Sequence, residues 1–257
     1  MKTIQRSIMG LFAASLATIF VLTTDAAPYQ NGDVKLQSIG PLATGPDGVL
    51  FVSDPKAACI IAIKTAVKPS DNTSGNFKVE GLNAKVAAVL GASVDQVRII
   101  DLAVDASSQT AYLSVIRGQG ASANAAVVSV RPSGEIHVLS LKNVQHAVAE
   151  LSNAPADQET GTGRRRRNQR MESITDIAFV KGKLIVAGLS NEEFSSTLRT
   201  IPFPFEGSQK GTGVRIFHGA HGRYETSSPV RTFVSYDIGG DPYILAAYTC
   251  TPLVKIP

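Results

Sequence analysis

Along the middle of this chain, apolar residues come in short runs separated by turn residues. Between Arg98 and Lys142 there are four: Ile99–Val104, Thr110–Ile116, Ala125–Val130 and Glu135–Leu141. The breaks between them are Ser107-Ser108-Gln109, Arg117-Gly118-Gln119-Gly120 and Arg131-Pro132-Ser133-Gly134. Strand-length runs at this spacing, with Gly and Pro in the gaps, predict an antiparallel meander of four strands. One such sheet cannot bury both of its faces. Stacking near-copies around an axis removes that problem, and repeated four-strand units are the mark of a β-propeller.

The pattern returns on both sides. Upstream it predicts strands at Val34–Ile39, Val49–Ser53, Cys59–Thr65 and Asn76–Glu80, then a short helix over Asn83–Leu90 behind an Asn cap. Asn143–Leu151 has Val144, Val148 and Leu151 at helical spacing. Residues 152–172 are polar and hold Arg164–Arg167, which predicts an exposed, disordered loop. A third unit runs Thr175–Val180, Lys183–Leu189, Thr197–Pro202 and Val214–His218, and a fourth Arg231–Tyr236, Tyr243–Tyr248 and Pro252–Ile256. The expectation is an all-β propeller with about three and a half four-stranded blades. Their bounds fall near 34–97, 98–151, 173–229 and 230–257. Either Val34–Ile39 completes the last blade and closes a four-bladed ring, or the chain is part of a larger ring. Four blades are the low end of the range, which favours the larger ring.

The turn Gly45-Pro46-Asp47-Gly48, followed by the apolar strand Val49–Ser53 and Asp54, resembles the NHL-like and SMP-30/gluconolactonase-like propellers, as does the unit Ile99–Leu141. Members of that group carry such a turn between the first two strands of a blade. The resemblance covers most of residues 34–257 and implies the fold. Propellers of the SMP-30 kind hold a divalent cation with acidic and Asn ligands, but that ligand pattern has no residue-by-residue match here.

The N-terminus is a separate object. Lys2 and Arg6 precede the 15-residue apolar run Ile8–Leu22, and small residues follow at Ala26. This predicts a signal peptide over residues 1–26, a secreted or periplasmic protein, and no membrane span once it is removed. The net charge of +4 then becomes +3, because Lys2, Arg6 and Asp25 leave together. A mild excess of this size does not argue nucleic-acid binding, and no aromatic residues interleave with Arg164–Arg167 and Arg170 to stack bases. That cluster reads as a solvated loop, with a processing site or a polyanion contact as the sharper readings. Cys59 and Cys250 are too few for a disulfide framework and read as buried thiols; a bridge is conceivable only where their units are neighbours. Asn72-Thr73-Ser74 fits a glycosylation sequon.

Candidate chemistry lies where propeller loops converge. Asp101 and Asp176 hold equivalent positions in the first strands of their units, and the companion loops carry Asp54 with Lys56, Arg117 with Gln119, and Asn191-Glu192-Glu193. As a polar funnel, Asp54, Asp101, Arg117, Asp176, Asn191 and Glu192 could bind a small molecule or a protein partner. With a divalent cation as cofactor they could run lactonase-like hydrolysis, a carboxylate acting as base. The alternative is that Asp101 and Asp176 tie down neighbouring backbone amides. His218 and His221 have a metal-like spacing, but the glycines around them predict a turn and no third ligand is near. No nucleophile elbow, P-loop or dinucleotide fingerprint occurs.

Overall fold

The computed structural model describes residues 29–67, 78–206, 211–215, 217–219, 222–224, 228–248 and 253–256. The predicted signal peptide, the sequon at Asn72, His221 and Cys250 lie outside the described residues.

The chain opens with β1 (Gln30–Gly32), β2 (Leu42–Thr44), β3 (Val49–Asp54) and β4 (Cys59–Lys64). Between β2 and β3 the turn Pro46–Gly48 places Asp47 at φ 53° and Gly48 at φ 70°, and the Gly45 N–H donates to Val49 O at 2.8 Å. Two successive left-handed residues suit Asp-Gly, which is why this tetrapeptide can turn the chain here. The helix α1 (Leu82–Val89) follows, begun by Gly81 rather than by the Asn83 cap that the sequence predicts. Next come β5 (Val97–Asp105), β6 (Thr110–Arg117), β7 (Asn124–Val130) and β8 (Ile136–Val138), the predicted central unit. Then β9 (Val144–Glu150), a hairpin of β10 (Glu159–Thr160) and β11 (Arg167–Asn168), and the unit β12 (Asp176–Val180), β13 (Lys183–Leu189), β14 (Ser196–Pro202) and β15 (Thr212–Gly213). A small ribbon of β16 (Phe217–His218) and β17 (Arg223–Tyr224) leads to β18 (Val230–Ile238), β19 (Asp241–Tyr248) and β20 (Val254–Ile256).

Four antiparallel sheets result, arranged as a β-propeller. Blade 1 has the order β2-β3-β4-β9-β1, blade 2 β5-β6-β7-β8, blade 3 β12-β13-β14-β15 and blade 4 β18-β19-β20. The first strands of the sheets lie side by side around the axis, β5 against β2, β2 against β12 and β12 against β18. The spatial order is therefore 2-1-3-4. The chain lays down four strands of blade 1, steps aside to build blade 2, and returns through β9, which slots between β4 and β1.

That return corrects the helix expected over Asn143–Leu151. Its apolar spacing fits either period over so short a run. The open edge of β4 decides it, with Ile61 opposite Val148 and Ile63 opposite His146. Val34–Ile39 is not a strand. It is irregular, with a bend at Gln37 and with Val34, Leu36 and Ile39 packed between blades 1 and 2. The N-terminal strand is β1, which pairs with β9 in blade 1 and completes no edge of blade 4. Residues 152–172, expected to be disordered, hold the β10–β11 hairpin and a turn at Gln169–Glu172. Arg166 pairs with Glu159 there, and Asn168 Nδ2 donates to Asp157 Oδ1 at 2.7 Å. Of the arginines that suggested a chain without order, Arg166 has an acidic partner in the hairpin.

Blade 1 is central and buried on both faces, so β3 reads as one unbroken apolar run up to Ser53-Asp54. Phe51, Ile60 and Ala62 face blade 3, where they meet Val186, Ile201 and Phe205, and Phe51 stacks on Phe179 at 5.4 Å. Leu50, Val52, Ile61 and Ile63 face blade 2 and pack on Tyr112 and Val127. Blade 2 has its far face covered by Val86 of α1. That cover does not reach all of β5, which alternates half-buried and exposed residues and leaves Leu102 and Val104 open. Blades 3 and 4 close on Ala187, Phe233, Ala246 and Tyr248.

Candidate functional site

The inner strands carry the two aspartates that the sequence sets in equivalent positions. Each reaches across a blade boundary. Asp101 on β5 accepts the N–H of Leu42 on β2 at 2.8 Å. Asp176 on β12 accepts the N–H of Phe233 and the hydroxyl of Thr232, both on β18, at 2.8 Å through Oδ2, while Oδ1 takes the N–H of Ile177 at 2.8 Å. The same device thus ties blade 2 to blade 1 and blade 3 to blade 4. At the boundary between blades 1 and 3 the matching position, just before β2, is Pro41, whose side chain offers no acceptor. There Ser173 Oγ donates to Pro55 O at 2.8 Å, Arg199 Nη2 to Ser152 O at 3.1 Å and Asn191 N to Asn153 O at 2.7 Å.

Burial pushes the Asp176 carboxyl above the ordinary aspartate value, against the bonds from Phe233, Thr232 and Ile177, and the charge of Asp101 adds to the rise.

Asp54 is fully buried and serves the backbone. Its oxygens accept from Gln37 N at 2.6 Å, Ser38 N at 3.0 Å, Ser38 Oγ at 2.7 Å and Ala57 N at 3.1 Å, which holds the 34–39 segment against blade 1. Arg117 is exposed and donates to Gly91 O at 3.2 Å; the residues on either side of it, Ile116 and Gly118, border a 490 Å³ hollow local to blade 2. Asn191 and Glu192 line a different cavity, of 330 Å³, at the boundary of blades 1 and 3. Ser190, Glu193 and Ser195 of the β13–β14 loop and Gln169 complete its polar wall, with Pro155 and Ala156 opposite. Glu192 Oε1 also takes a long bond from Asn153 Nδ2 at 3.5 Å. The structure thus brings Asn191 and Glu192 into one cavity, while Asp101 and Asp176 each serve a separate blade boundary. Asp54 and Arg117 stand apart from both. Among the described residues, no three His, Cys, Asp or Glu side chains are grouped to hold a metal ion.

Sequence reasoning passed over Arg199. It is 1% exposed, its Nε and Nη1 have no hydrogen-bond partner, and burial draws its guanidinium below the usual range while Glu192 opposes that. The signal was available: Thr197, Arg199 and Ile201 share the inward face of β14, so a charge falls in a core register.

No protein-family model matches the chain, and no curated protein does. Among solved structures it is similar to a luciferin-regenerating enzyme, at 8% identity over 85% of this chain and 88% of that one, with a TM-score of 0.33. It is similar to a PQQ-bound aldose sugar dehydrogenase of Streptomyces coelicolor at 14% identity over 84% and 96%, TM-score 0.22. It is also similar to an inferred gluconolactonase at 12% identity over 90% and 78%, TM-score 0.23. The likeness is one of fold. The propeller itself rests on the order and register of the four sheets. Among the described residues, no helix is long and apolar enough to cross a membrane.

Proposed function

We propose that this protein is an exported binding module, secreted or periplasmic, which takes a small polar ligand in the loop cavity bordered by Asn191 and Glu192. One observation carries the choice of binding over catalysis. The carboxylates of Asp101 and Asp176 are engaged by backbone N–H groups of neighbouring blades, the geometry of a staple rather than of a base waiting for a proton. The cavity offers carboxylate, amide and hydroxyl groups, a lining that suits a hydroxyl-rich or cationic molecule.

A lactonase-like hydrolase is the second reading. The raised carboxyl of Asp176, to which the charge of Asp101 adds, favours it, since desolvated carboxylates are the usual proton carriers of such sites.

One experiment separates the two. The purified protein is assayed for lactone hydrolysis with and without calcium or magnesium, and for thermal stabilisation by polyols, sugars and amines. Binding without turnover, lost in Glu192→Gln, supports the module. Metal-dependent turnover lost in a folded Asp176→Asn variant supports the hydrolase. Export is tested separately, by N-terminal sequencing of mature protein, which should begin near Ala27.

A further inference from the structure

Blades 3 and 4 share a core only along part of their boundary. Phe233, Ala246 and Tyr248 fill it at the end towards Asp176. Towards the opposite hairpins, Val180–Lys183 and Ile238–Asp241, the filling stops and a groove of 410 Å³ opens between the two sheets. Ile185 and Ile244 form its floor, with Val180 and Pro242 as apolar walls; Thr200 and Ser235 bring polar groups to the rim. Tyr243 lines the groove as well, its ring carrying the Lys255 ammonium at 4.3 Å, and the charged groups of the lining are Lys181 and Lys183. This lies at the far end of β13 from the loop cavity, so it is a separate site.

The charges define what would fit. Lys181 Nζ stands 3.6 Å from Asp237 Oδ1, joining the two hairpin tips, and both side chains are more than half exposed. An exposed pair of this kind contributes about 0–1 kcal/mol, so it yields readily to a better partner. Lys183 forms no ion pair among the described residues. Lys181 also holds φ 47° beside Gly182 at φ 79°, a two-residue turn that asparagine or glycine fills without strain. An apolar floor with a cationic rim repels ammonium groups and leaves a neutral ligand no use for the lysines.

We propose that this groove binds a small amphipathic carboxylate, its apolar body between Ile185 and Ile244 and its carboxylate on Lys183, with Lys181 turning to it from Asp237. The volume is within the range that small ligands occupy.

Octanoate and octylammonium serve as probes in calorimetric titrations of the purified protein, with Lys183→Gln and Asp237→Asn, two surface substitutions whose folding is checked by circular dichroism. Octanoate should bind at least about tenfold tighter than octylammonium, Lys183→Gln should weaken it by about tenfold, and Asp237→Asn should tighten it by freeing Lys181. The proposal is overturned if octanoate does not bind, if both probes bind alike, or if neither substitution changes the affinity for octanoate.

Discussion

Asp176 Oδ2 accepts the backbone N–H of Phe233 at 2.8 Å, so a side chain of one blade completes the hydrogen bonding of the next. Phe233 is buried, and without Asp176 its N–H would face the blade boundary unpaired. Asp176→Ala should therefore lower stability by about 1–3 kcal/mol, and Asp176→Asn, which keeps one acceptor oxygen, by less. Asp101→Ala removes a single such bond, to Leu42, and should cost less than Asp176→Ala. Urea unfolding of the three variants checks the order.

Asp176 and Asp105 should pull the pH dependence of stability in opposite directions. The Asp176 carboxyl is raised by burial, so its contribution is fully present below the ordinary aspartate value and is lost as pH rises through the folded value. Burial also raises Asp105, but hydrogen bonds from the hydroxyls and backbone of Ser108 and Ser107 outweigh it and leave the carboxyl lowered. Its contribution is present above the ordinary value and is lost as pH falls through the folded one. Urea midpoints across the acid range should show Asp176→Asn gaining on the wild type as pH rises, and Asp105→Asn gaining on it as pH falls.

Cys59 should be inert in the native protein. Its thiol is buried beside Asp54 and Glu150 and is pushed up to about 12, first by desolvation and then by those two charges. Thiolate is the reactive species. Iodoacetamide at mildly alkaline pH should leave the Cys59 peptide unmodified until denaturant is added, as read by mass spectrometry.

Arg199 is a buried charge with two nitrogens, Nε and Nη1, unpaired, so a long apolar side chain should replace it without loss. Arg199→Met is expected to be neutral or to stabilise by about 1–4 kcal/mol, as happens when buried ionic groups give way to well-packed apolar ones. Arg199→Ala should destabilise by about 2–5 kcal/mol through the cavity it leaves. Thermal unfolding distinguishes them; a Met variant as unstable as the Ala variant would show that the bond from Nη2 to Ser152 O outweighs the cost of burying the charge.

How much of this was legible in the chain depended on how local the cause was. Blade 2 was readable strand by strand, because β5–β8 pair with their sequence neighbours and the breaks carry Pro132 and Gly134. Gly45–Gly48 announced its turn for the same reason. Val144–Glu150 did not announce itself as a strand, because what makes it one is the edge of β4 across all of blade 2. Residues 34–39 join no sheet because Asp54 takes the backbone N–H groups of Gln37 and Ser38. At the site, the equivalence of Asp101 and Asp176 could be seen from the repeat, and so could the choice between staple and base. Which partner each carboxylate takes could not, since Leu42 and Phe233 come from other blades. Arg199 shows the converse: its register was legible, but its burial depends on Ser152 and the blade 1 boundary.

The central claim is that the axial aspartates fasten one blade to the next. Amide hydrogen exchange, followed residue by residue by NMR in the wild type and in Asp176→Ala, tests it most directly. The Phe233 amide should exchange roughly ten- to a hundredfold faster in the variant, the equivalent of about 1.4–2.8 kcal/mol of lost protection, while the Leu42 amide held by Asp101 keeps its rate. Unchanged exchange at Phe233, in a folded variant, would mean that Asp176 holds nothing across that boundary and is free for chemistry.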